Sequence, residues 1–224
     1  MRDCQVYHAL GKDMNDLFDG KGYYYRHEEL LKYERVRNSA DSSPFDFSSF
    51  TRSASFTANG VNSMPMWAHY GANHAGFAVE YDMTKQENMK LSSTMFPVQY
   101  ADKRLDVTPI VETQIKTVID KVDHNLKIGQ KITVSDDLTL IFMCSFLVFV
   151  KHESWSYEKE FRSTLSNVYD KTPAVPSAIY IGINCAEAHR AELVEIGKSI
   201  GASVFQMTFN EHSVDYTLVP KALS

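Results

Sequence analysis

The stretch Tyr157-Glu158-Lys159-Glu160-Phe161-Arg162-Ser163-Thr164-Leu165 reads as a β-strand from residue 160 to 165. Strand side chains alternate between two faces. If residues 158–165 are extended throughout, Glu158, Glu160 and Arg162 share one face and Phe161 turns inward. Two carboxylates so close repel, so at least one needs a cation or a hydrogen-bond donor. Arg162 is the obvious partner. Two readings stay open. One is an exposed, salt-bridged strand, since charged runs usually face water. The other is a catalytic carboxylate held by Arg162 beside a cleft, with Trp155 and Tyr157 as an aromatic wall.

Working outward, the chain alternates irregularly between strand and helix signals. Residues 6–10, 23–25, 53–57, 76–81 and 97–100 read as strands, as do 178–183, 203–208 and 215–219. A short helix is expected at 13–18, and residues 38–49 have loop chemistry. From 108 to 126, Ile110, Val111, Ile115, Val118, Ile119, Val122 and Leu126 recur at helical spacing. A more buried helix is expected over 136–150, with Ser135 as its cap. Its apolar run is too short to span a bilayer, for which about 20 residues are needed. An amphipathic helix at 186–200 ends at Gly201. β-rich ends with helices between them predict an α+β fold: mixed, mostly antiparallel sheets with a central pair of helices. The chain is expected to be one globular domain over 1–224, with its motifs between 45 and 219.

Composition limits the function classes. The chain has 224 residues, 44% of them hydrophobic, enough for one sizeable core. A net charge of −5 gives no general attraction to phosphate backbones, so no nucleic-acid binding is expected. Cys4, Cys144 and Cys185 lie far apart without a CxxC pair, which fits a reducing cytoplasm and excludes a zinc knuckle. Cys144 reads as a small core residue. The first residues lack a signal-peptide pattern, so a cytoplasmic protein with no membrane association is expected.

The second informative stretch is Pro65-Met66-Trp67-Ala68-His69-Tyr70-Gly71. Proline suits a helix start, here with Ser63 or Asn62 near the cap, and Gly71 ends the helix. Trp67 and Tyr70 are three apart and share a face, whereas Trp67 and His69 diverge. Trp67 reads either as core packing or as a ring wall of a cleft. His69 is either held by a backbone carbonyl or acts in proton transfer. His69, His74 and Glu80 lack the spacing of an HExxH zinc site, and no metal is expected. Ser53, Ser55 and Thr57 alternate along one strand, forming either a plain edge strand or a hydroxyl face toward a ligand. No GxSxG, P-loop or GxGxxG occurs.

Met66 to Tyr70, followed by Asn73-His74-Ala75-Gly76-Phe77-Ala78-Val79-Glu80-Tyr81-Asp82, resembles the signature of the bacterial and phage-associated domain of unknown function 2971. Ser55-Phe56-Thr57 upstream, Pro97-Val98-Gln99-Tyr100 downstream and Trp155 to Arg162 match further family motifs. At the N-terminus, Ser43-Pro44-Phe45-Asp46 keeps only the end of the family's loop. The resemblance further implies a distant likeness to ADP-ribosyltransferases. Those use an Arg or His on the first strand, a Ser-x-Ser strand and a Glu-x-Glu strand. The counterparts here are His8 or Arg26, Ser53-Ala54-Ser55 and Glu158-Lys159-Glu160. On this reading NAD is the substrate rather than a resident cofactor. Glu160, Glu158 and His69 are then the catalytic candidates, and Ser55, Trp67, Tyr70 and Arg162 the substrate-binding ones. The acceptor is a small molecule or a protein. The alternative is a non-catalytic binding or sensor module of a toxin or phage-defence system.

Overall fold

The computed structural model describes residues 2–38, 48, 51–129, 146–166 and 168–223. The first half of the chain holds strands β1 (Gln5–Tyr7), β2 (Ala9–Leu10), β3 (Tyr23–Tyr24), β4 (Thr51–Thr57) and β5 (Phe77–Glu80). It continues with β6 (Met95–Pro97), β7 (Gln99–Ala101) and β8 (Leu105–Asp106). The second half holds β9 (Val150–His152), β10 (Glu160–Ser166), β11 (Lys171–Pro173), β12 (Ala178–Ile181), β13 (Ser203–Phe209) and β14 (Leu218–Ala222). The helices are α1 (His27–Leu30), α2 (Glu34–Arg37), α3 (Met64–Tyr70), α4 (Met89–Ser92), α5 (Thr108–Ile128) and α6 (Glu187–Ile200). Among the described residues, no helix is long and apolar enough to cross a membrane.

Two four-stranded sheets carry the architecture. The first runs β2-β4-β10-β6 and is antiparallel throughout. The second runs β14-β13-β12-β5, with only β12 and β13 parallel. The parallel pair needs a crossover, and α6 supplies it. Leu193 and Ile196 of α6 pack on Ile179, Ile181 and Val204 beneath the second sheet. Gly201 then ends the helix in a left-handed conformation, φ 73°. The other face of that sheet is covered by α3, whose Trp67 packs with Met207 and Leu218. Helix α5 is capped by Asp106, whose Oδ1 accepts from the Thr108 amide at 2.9 Å. Val107, Val111 and Ile115, four residues apart, bury against Tyr23, Leu30 and Leu147.

The fold is α+β with mostly antiparallel sheets, as the sequence implies. Several boundaries differ. Residues 6–10 form two strands, because His8 is buried between them and its side chain bonds Ser163. Residues 97–100 also split. The Val98 amide donates to the Glu160 carbonyl at 2.9 Å, while the next amide, of Gln99, donates to Phe149 at 2.7 Å. The strand thereby passes from β10 to β9. At 13–18 only a 3-10 turn forms, and it lies earlier, at Gly11–Asp13. The last strand sits at Leu218–Ala222 rather than 215–219. Most of the helix expected over 136–150, with Ser135 and Cys144, lies outside the described residues, as does the loop segment 43–46. At its described end, Val150 opens β9 instead of closing a helix.

The connection from α3 to β5 is tightly built. Ala72, Asn73 and His74 all have positive φ, at 49°, 53° and 65°. This turn is held by the second sheet: the Gly182 amide donates to Gly76 at 2.8 Å and the Asn184 amide to His74 at 2.9 Å. A Cβ built on Gly182 would lie 2.2 Å from the His74 carbonyl oxygen. Backbone must shift to admit it. Gly182→Ala is expected to destabilise the protein by about 3 kcal/mol, the upper range for overpacking, read from urea denaturation. A loss below the error of that measurement would show that the turn gives way freely.

Candidate active site

The site begins where the chain turns from β9 into β10. His152 opens a 3-10 helix, Glu153–Glu158, and its ring accepts from the Ser154 amide at 3.2 Å. Lys159 then adopts a left-handed conformation, φ 43°. The end of β4 and the two residues after it fix this turn through three contacts. Thr57 Oγ1 donates to the Glu158 carbonyl at 2.6 Å, Asn59 Nδ2 to the Tyr157 carbonyl at 2.6 Å, and the Ala58 amide to Lys159 at 3.2 Å. Glu158 is therefore not on the strand, as the alternation would have it. It enters the site from the 3-10 helix, and Glu160 enters from β10.

The charged face of β10 is buried, which overturns the reading of an exposed salt-bridged strand. Arg162 is 1% exposed, Glu160 4% and Glu158 2%. Phe161, expected to turn inward, lies on the half-buried opposite face. Arg162 donates to Glu160 through Nε at 2.6 Å and Nη2 at 3.2 Å, and to the Val148 carbonyl through Nη1 at 2.7 Å. Nη1 also forms an ion pair with Asp19 Oδ1 at 2.5 Å. Lys151, on β9, is equally buried. Its Nζ donates to Glu158 Oε2 at 2.7 Å and to Glu160 Oε2 at 3.0 Å, with the Trp155 ring 4.8 Å away. Tyr70 donates to Glu158 Oε1 at 2.6 Å. The Glu160 amide donates to the Tyr100 hydroxyl at 2.9 Å. Asp19, Glu158 and Glu160 thus outnumber Lys151 and Arg162 by one carboxylate.

Burial alone would raise the Glu160 pKa, but the Arg162 guanidinium, the Lys151 ammonium and a hydrogen bond from Ser55 hold it below the ordinary value. Burial would lower that of Lys151, and the two glutamates raise it instead. Burial and the bond to Glu158 push the Tyr70 hydroxyl up, so it stays a donor.

A cleft of about 1130 Å³ opens beside this cluster, between the two sheets. Ser53, Ser55 and Thr57 of β4, Tyr70 of α3, and Lys151, Glu158 and Glu160 line one part of it. The register sets Thr57 opposite Glu160 and Ser55 opposite Arg162, so the hydroxyl and charged faces coincide. β4 lies inside the sheet, flanked by β2 and β10, and is not an edge strand.

Of the residues expected to form a site, Glu158, Glu160, Arg162, Ser55 and Tyr70 converge. Trp67 and His69 do not. Trp67 is core: it is 4% exposed, donates to the Val61 carbonyl at 2.7 Å and stacks on His74. No ring face is left to meet a ligand. His69 is exposed, touching the edges of Tyr70 and Trp155, and does not line the cleft. Nor does either first-strand counterpart reach it. His8 is sealed on the opposite face against Ser163, at 3.0 Å, and Arg26 pairs with Glu29 and Asp106. Among the described residues, no group of three or more His, Cys, Asp or Glu is placed to hold a metal ion.

The sequence reading missed Lys151, Asp19 and Tyr100. Lys151 had a signal: it is a lone cation directly after the apolar run ending at Val150. Tyr100 closes the Pro97–Tyr100 motif, and Asp19 had no signal beyond its residue type.

Residues 66–163 match the family model described as Protein of unknown function (DUF2971). The chain therefore resembles that family over the segment that contains Met66 to Tyr70 of α3, Lys151, Glu158, Glu160 and Arg162. No curated protein and no solved structure matches the chain.

Two outcomes follow from the buried charges. Lys151→Met removes one partner and leaves two glutamates facing each other. It is expected to cost about 3–5 kcal/mol, the range for breaking a buried pair, measured by chemical denaturation. The second concerns pH. Burial lowers the His8 pKa below 6.5, and Glu160 is also lowered, from 4.5. Both groups give stability that is present above their unfolded pKa and lost as pH falls through the folded one. The melting temperature should drop in two stages on acidification, below pH 6.5 for His8 and below 4.5 for Glu160. His8→Gln should remove the first stage alone. A melting temperature flat from pH 7 to about 4 would contradict both assignments.

Proposed function

We propose that the cleft binds NAD and cleaves its nicotinamide–ribose bond, in the manner of ADP-ribosyltransferases. The carrying observation is the junction of β4 and β10. Ser55, Glu160 and Glu158 meet there over one cleft, with one carboxylate in excess of the cations. The reaction develops positive charge on the ribose. The bond from C1′ to the nicotinamide nitrogen breaks, and its electron pair leaves with nicotinamide. An oxocarbenium-like ribose remains. A surplus negative charge stabilises that cation more than it stabilises the neutral leaving group. Glu160, oriented by Arg162 and Ser55, is the carboxylate nearest the developing charge. Glu158, oriented by Tyr70 and Lys151, takes the proton of the acceptor as its oxygen bonds to C1′.

A second reading has its own support. Both oxygens of Glu160 are already held by Arg162 and Lys151. In a non-catalytic binding or sensor module of a toxin or phage-defence system, the same cluster would brace the cleft, which would bind without turnover.

Nicotinamide release from NAD by purified protein separates the two. On the enzymatic reading wild type releases nicotinamide. Glu160→Gln, which keeps the shape and removes the charge, lowers the rate by roughly 100-fold or more. The melting temperature of the variant reports its folding, and Ser55→Ala serves as a milder second variant. Binding of NAD without release supports the module. A folded protein that neither binds nor cleaves NAD overturns the enzymatic reading.

A further inference from the structure

The second sheet adds a third glutamate to the same cleft, with its own tyrosine. Tyr180 Oη donates to Glu80 Oε2 at 2.8 Å, and Ser177 Oγ donates to Glu80 Oε1 at 2.9 Å. Tyr180 is itself fixed, its ring stacked on Phe205 at 5.1 Å with an interplanar angle of 13°. Glu80 and Tyr180 both line the cleft with Tyr70, Glu158 and Glu160. The cleft therefore holds two Tyr–Glu pairs, Tyr70–Glu158 from α3 and the 3-10 helix and Tyr180–Glu80 from the second sheet. Each Glu80 oxygen accepts one protein donor. A carboxylate has about four acceptor positions, so two remain. Glu80 is exposed, which leaves them open to a ligand. Two acceptors on neighbouring oxygens fit two adjacent hydroxyls, the pattern by which a carboxylate grips a ribose diol in dinucleotide sites of unrelated fold.

We propose that Glu80, held by Tyr180 and Ser177, is a ribose-diol subsite, so that the cleft takes a ligand with two ribonucleoside halves. The proposal rests on the NAD reading for the identity of the whole ligand. It does not rest on turnover. The subsite holds the adenosine ribose, while the Glu158–Glu160 cluster holds the ribose that reacts.

The test is equilibrium binding of AMP, a half-ligand that cannot react, measured by calorimetry on the whole chain. AMP is expected to bind at least 10-fold more tightly than 2′-deoxy-AMP or 3′-deoxy-AMP. Glu80→Gln should abolish that preference, and Tyr180→Phe should weaken AMP binding with the melting temperature near wild type. No AMP binding, equal binding of the deoxy forms, or a preference that survives in Glu80→Gln would overturn the subsite. If AMP binds as expected and NAD is not cleaved, the enzymatic reading fails and the subsite stands.

Discussion

Arg162 carries a permanent charge at a position that is 1% exposed. A guanidinium cannot shed its proton to escape burial, as a lysine can, nor take one up, as a carboxylate does. Its neutralisation therefore has to be built around it. Glu160 comes from two residues away on the same strand, Asp19 from the N-terminal segment, and the Val148 carbonyl from the approach to β9. Three separate parts of the chain are thereby tied to one side chain. The ties extend outward: Glu160 to Lys151, Lys151 to Glu158, and Glu158 to Tyr70 on α3. Through α3 the network reaches Trp67 and the core over the second sheet.

The same network shapes the cleft. Buried ion pairs add little net stability against a well-packed apolar core. Their effect is to fix geometry, since each partner is costly to move. Here the fixed geometry places two glutamates in the lining of a large cleft with hydroxyl donors around them. Support of the fold and presentation of acceptor atoms are thus combined in one set of side chains. Substitutions in the cluster will mix both effects, and this is why shape-preserving changes such as Glu to Gln are the informative ones.

The sequence was readable where one period dominates. The spacing of Val111 and Ile115 marks α5, and Gly201 marks the end of α6. Glu160 and Arg162 on one strand face followed from alternation alone. Burial did not follow, because the partners that make it tolerable, Asp19 and Lys151, are distant or sit in an apolar context. The roles of Trp67 and His69 were equally beyond local pattern. A helix shows which residues share a face, but only packing decides which face meets the core. The splits at His8 and Val98 arise from single residues that exchange one hydrogen-bonding neighbour for another, a choice with no periodic trace.

Lys159 has a modest place in the structure, a single left-handed residue between a 3-10 turn and a strand. It nonetheless sets a length standard. The two glutamates reach the same ammonium from different elements only because one residue, and no more, reverses the chain between them. The segment from Lys151 to Glu160 is in this sense a ruler with fixed graduations. Side chains along it can vary where they face water, but an insertion or deletion would move one carboxylate away while leaving the other in place. Variation in length among related chains belongs instead in the exposed turn between β13 and β14, where Val214 and Tyr216 project into solvent and no buried charge depends on the count.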